Sequence, residues 1–91
     1  MVDSDEKRVA FAAFERVLDL TMKTGTMPGQ WEAACFTWAY QALAAQSFLL
    51  ARYWIESMDR SPTAGWVGPT ATLFTLEELA VGFAELKRDL V

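Results

Sequence analysis

The chain has 91 residues and no histidine. Histidine is the commonest general base near neutral pH and the commonest transition-metal ligand, so its absence closes the most accessible routes to both kinds of chemistry. A di-iron bundle draws on Glu-x-x-His pairs, and a zinc site needs cysteine or histidine in number, while Cys35 is the one cysteine here. No metal, cofactor or catalytic residue is expected. Cys35 also excludes an intramolecular disulfide and lies between Ala34 and Phe36, with no base beside it in sequence to activate a thiolate. It reads as a packed hydrophobe in a protein of a reducing compartment. Gly65-Trp66-Val67-Gly68 lacks the lysine and the strand-to-helix setting of a phosphate-binding loop.

Clustered positive charge is missing too. The basic residues Lys7, Arg8, Arg16, Lys23, Arg52, Arg60, Lys87 and Arg88 are scattered, and the net charge is −4. Phosphate backbones are bound by grouped lysine and arginine, so nucleic acid is excluded as a direct ligand. The acidic start, Met1 to Glu6, is unlike a signal or transit peptide, and a cytoplasmic location is expected.

What the chain has in excess is apolar surface. Hydrophobic residues make up 53% of the sequence, although a domain of this length has only one core in which to bury them. Seven of the 12 aromatic residues lie between Gln30 and Arg60: Trp31, Phe36, Trp38, Tyr40, Phe48, Tyr53 and Trp54. The nineteen residues between Glu32 and Arg52 carry no charge. Such a run raises the question of a membrane span, but Thr37, Gln41, Gln46, Ser47 and many alanines make it weakly hydrophobic for lipid, and no basic cluster flanks it. A buried helix is the better reading.

The expected fold is all-α: a small bundle of two long antiparallel helices, over about 4–24 and 29–60, and a shorter third over 75–90. Asp3 or Ser4 would cap the first, with Asp3 and Glu6 at capping-box spacing. Gly25 ends it, and Pro28 suits the first turn of the next. Pro62 ends the central helix, whose ridges are Trp31, Cys35, Trp38, Ala42, Ala45, Leu49 and Tyr53 on one side and Phe36, Tyr40, Leu43, Trp54 and Met58 on another. The loop 61–74 carries no charge and holds Trp66 and Val67 between two glycines, so it is tucked onto the core or offered to a partner. Thr75 and Glu78 have capping-box spacing, and Leu76, Leu79, Ala80, Phe83, Leu86 and Leu90 form one stripe behind them.

The first two helices present apolar faces wider than a three-helix monomer covers, so a homodimer or an obligate complex is expected. The functional reading is a small non-enzymatic protein-interaction module, acting as adaptor, regulator or inhibitor through apolar helical faces. A helical protein on a lipid or granule surface is the first alternative, disfavoured by the acidic charge. A binding domain for an apolar small molecule is the second. The candidate contact residues are Trp31, Trp38, Gln41, Gln46, Trp54, Trp66 and Val67. Tryptophan is enriched among binding hot spots, and the two glutamines, if buried, would need partners across an interface. Glu56 and Asp59 form a carboxylate pair at the end of the central helix, but Arg52 one turn earlier makes a solvated ion pair the simpler reading.

Overall fold

A computed structural model of the chain describes residues 2–25, 29–62, 64–68 and 72–91, with side chains from Asp5 onward. The described residues form four helices and no strand: α1 Val2–Thr24, α2 Gln30–Ala44, α3 Phe48–Ser57 and α4 Leu76–Leu90. None is long and apolar enough to cross a membrane. The side chains of Asp3 and Ser4 and the Thr26–Pro28 connection lie outside the described residues, so the expected first cap and Pro28 are not seen. Gly25 does close α1, its N–H donating to the Thr21 carbonyl at 3.0 Å with φ at +80°.

The single helix expected over 29–60 is two helices. An unbroken helix of that length would run about 48 Å, longer than the 39 Å greatest extent of the molecule. The break is a Schellman turn: the Ser47 N–H donates to the Ala42 carbonyl at 2.8 Å and the Gln46 N–H to the Leu43 carbonyl at 3.0 Å. The residue at its left-handed position is Gln46, with φ at +61°. Glycine usually fills that place, and a residue with a Cβ meets a steric cost there of about 1–2 kcal/mol. Packing supplies the offset, because the turn folds α3 back along α2 and buries Phe48, Ala51 and Ile55. Trp38 then meets Trp54 with ring centroids 4.7 Å apart, and the Trp31 indole Nε1 donates to the Ser57 carbonyl at 3.0 Å at the far end of the hairpin.

The other helices close over this hairpin. α1 runs antiparallel to α2, with Phe14 beside Phe36 and Tyr40 and Thr21 beside Glu32. It runs parallel to α3, with Phe11 near Phe48 and Val17 near Ile55 and Met58. Phe14 is the hub of the core, fully buried, 4.7 Å from Phe36 and stacked 4.9 Å from Phe83 of α4. The expected stripe of α4 packs on this core, Leu79 and Phe83 fully and Leu76, Ala80, Leu86 and Leu90 in part. The Thr75 capping box forms, the Glu78 N–H donating to the Thr75 hydroxyl at 3.1 Å and the Thr75 N–H donating to the Glu78 carboxylate at 2.9 Å. At the other end Lys7 donates to the Leu90 carbonyl at 2.6 Å, satisfying a carbonyl of the last turn.

Gly82 marks a close approach of α4 to α2. A Cβ at this position would lie 2.5 Å from the Tyr40 hydroxyl oxygen and 2.9 Å from the ring edge, and Tyr40 is held by Phe74 at 5.4 Å and Phe14 at 6.4 Å. Alanine gains about 1 kcal/mol in helix propensity but forces this ring to move, which costs about 1–3 kcal/mol. Gly82→Ala is expected to destabilise the chain by about 1 kcal/mol net in urea unfolding, where an exposed helical glycine would give a gain.

Candidate functional site

The two kinds of large aromatic residue separate in the fold. Five of the six phenylalanines are buried, whereas Trp31, Trp38, Trp54 and Trp66 are all only partly buried. The physical reason is the indole N–H, which needs a polar partner or water, so tryptophan favours a boundary position that phenylalanine does not. The hairpin places Trp31, Trp38 and Trp54 on one outer face of α2 and α3, and Trp66 joins them from the 61–74 loop. They form a continuous ladder: Trp66 to Trp31 at 5.3 Å, Trp31 to Trp38 at 6.4 Å and Trp38 to Trp54 at 4.7 Å. Tyr53 extends it, 5.0 Å from Trp54. The first two contacts and the last are edge-on, with interplanar angles of 79°, 81° and 73°, the arrangement that ring quadrupoles favour.

At the turn end the ladder opens into an apolar depression of about 400 Å³, walled by Trp38 and Trp54 and completed by Gln41, Ala42, Ala45, Ser47 and Leu50. Leu49, Leu50 and Tyr53 stand exposed beside it. At the other end Trp66 leans on Trp31 from the 61–74 loop, while Val67, its neighbour, is 94% exposed. Gly65 and Gly68 on either side have positive φ, at +87° and +123°, so the dipeptide is presented by two turns that require glycine. The Phe74 N–H donates to the buried Thr37 hydroxyl at 3.2 Å and ties the loop's exit to α2.

Of the seven candidate residues, Trp31, Trp38, Trp54 and Trp66 thus meet in one surface and Gln41 lines the depression at its turn end. Val67 projects beyond the ladder. Gln41 and Gln46 are both exposed, so neither is the buried amide that would demand a partner. Leu50, Ala45 and Ser47 join the site although the sequence reading did not select them. On an unbroken helix Leu50 stands away from Trp38, and only the reversal at Gln46 brings the two to one depression.

No acid–base or metal constellation accompanies this surface among the described residues. No group of three or more metal-ligating side chains assembles. Glu56 and Asp59 are exposed, and Arg52 makes no ion pair with Glu56. Among the described residues an inter-helix ion pair joins Lys87 of α4 to Glu15 of α1 at 2.7 Å.

Cys35 is completely buried, and its thiol is pushed up from 9.0 to about 11, first by desolvation and second by the nearby Glu32 carboxylate. The folded state therefore holds the thiol proton more tightly than the unfolded state does. That contribution is fully present below pH 9 and is lost as pH rises toward about 11. Cys35 is expected to resist Ellman's reagent at pH 8 and to react only as the chain opens, with labelling that accelerates in step with added urea. Rapid labelling of the native protein would contradict its placement. No known protein family, curated protein or solved structure matches this chain.

Proposed function

We propose that the chain is a small non-enzymatic protein-interaction module, an adaptor, regulator or inhibitor, that receives an apolar anchor of a partner protein in the depression between Trp38 and Trp54. The observation that carries this reading is the continuous ladder of four partly buried tryptophans, set apart from a core rich in phenylalanine. Large rigid rings at a surface offer much contact area at little entropic cost, and tryptophan is the residue most enriched among hot spots. The acidic balance of the chain favours a partner whose rim around that anchor is neutral or basic. The reading places the protein in the cytoplasm, where Cys35 stays reduced.

Leu50→Glu tests it, because Leu50 is 49% exposed and borders the depression without belonging to the core. The variant is expected to keep the wild-type unfolding free energy within about 0.5 kcal/mol and to lose partner binding by about thirtyfold or more, the loss expected for a hot spot. Affinity capture with wild type and variant in parallel, followed by calorimetry on the purified partner, supplies the comparison. A partner retained equally by both proteins would remove the depression from the contact.

A second reading is supported by the lining of the depression, which is mainly apolar and aromatic with the polar side chains of Gln41 and Ser47 at its edge, the kind of lining that small-molecule sites have. An apolar dye that binds one to one and is released by Leu50→Glu would support that reading. Flotation with neutral and anionic vesicles tests the lipid-surface alternative, which the acidic chain disfavours.

A further inference from the structure

We infer that the α2–α3 turn is a hinge through which two copies of the chain exchange their α3–α4 halves, closing a dimer on the same contacts that close the monomer. Ala44, Ala45, Gln46 and Ser47 contain no glycine, proline or asparagine, and all four are exposed. Alanine and glutamine are strong helix formers, yet Gln46 is held at φ +61°. Opening the turn relieves that position and joins α2 and α3 into one helix over 30–57, and the four turn residues themselves bury no core side chain. Everything else is kept. Phe11 to Phe48, Phe14 to Phe83, Trp38 to Trp54, Tyr40 to Phe74, Trp31 to Ser57 and Lys87 to Glu15 all join a residue before Gln46 to one after it. Each forms between copies with unchanged geometry, as exchange of identical elements requires. In the exchanged dimer one copy supplies Trp31 and Trp38 to each tryptophan surface and the other supplies Leu50 and Trp54.

Two substitutions at Gln46 act in opposite directions. Gln46→Gly removes the cost of the left-handed turn and weakens the continuous helix, and two hinges change per dimer, so the dimer dissociation constant is expected to rise about 10²–10³-fold. Gln46→Ala favours the continuous helix, and the constant is expected to fall about threefold. The three proteins are refolded from denaturant at 10 µM to 1 mM so that exchange reaches equilibrium, and their masses are read by light scattering. The expected order of dimer stability is Ala over Gln over Gly. Monomers throughout, or a dimer equally stable in all three, would overturn the exchange, the second outcome assigning association to a surface contact. Neither outcome bears on partner capture by the tryptophan surface.

Discussion

Phe14→Ala is expected to lower the stability of the chain by about 3–5 kcal/mol, the range for emptying a fully buried phenylalanine site. Phe14 touches α2 and α4 at once, through Phe36 at 4.7 Å, Tyr40 at 6.4 Å and Phe83 at 4.9 Å. The void it leaves lies where three helices meet, and none can close it without parting from another. A domain of this size is stable by about 5–15 kcal/mol in all, so the variant is expected to melt about 15 °C or more below wild type. Leu20→Ala on the same helix is the control. Leu20 is 57% exposed, and its truncation is expected to change stability by no more than about 0.5 kcal/mol. Similar losses at the two positions, in urea unfolding followed by circular dichroism, would mean that α1 presents a different face to the core.

Trp38→Ala carries the largest expected effect on function. Trp38 stands between Trp31 and Trp54 and forms a wall of the depression, so its removal divides the ladder and opens the site on one side. The binding loss is expected to exceed about 2 kcal/mol, or thirtyfold. The stability loss is expected to be about 2 kcal/mol, below the range for a fully buried tryptophan, because the ring is only half-buried. Trp38→Phe separates the two effects, since it keeps an aromatic wall of smaller area and is expected to recover most of the stability and only part of the binding. Calorimetry with the partner and urea unfolding of the two variants supply the four numbers. Full binding by Trp38→Ala would move the contact surface elsewhere.

The helical class was legible because the apolar residues of Lys7 to Lys23 and of Leu76 to Leu90 repeat at helical spacing, and because Thr75 and Glu78 announce a helix start by chemistry local to four residues. The reversal at Gln46 was not legible. Ala44-Ala45-Gln46-Ser47 reads as helix interior, and the left-handed conformation of Gln46 is imposed by contacts sixteen residues apart, such as Trp38 with Trp54. A clue lay in the width of the apolar surface around the central stretch, which exceeded what two neighbouring helices would cover. Folding the stretch on itself covers much of that surface within one chain. The tryptophans were identifiable as contact candidates by residue type alone, but their assembly into one face depends on the turn. Trp66 was placed in an apolar loop without a direction, and its edge-on contact with Trp31 is a tertiary fact that no local pattern encodes.

The claim on which the rest depends is that the central apolar stretch reverses at Gln46 and lays Trp38 on Trp54. Nuclear Overhauser contacts between the assigned indole protons of these two residues, recorded on the monomer so that they arise within one chain, together with a left-handed backbone shift at Gln46, measure it directly. With ring centroids 4.7 Å apart, strong contacts are expected. In an uninterrupted helix the same residues stand about 24 Å apart along the axis, and the absence of any such contact, together with helical chemical shifts through Ala45, Gln46 and Ser47, would contradict both the hairpin and the surface built on it.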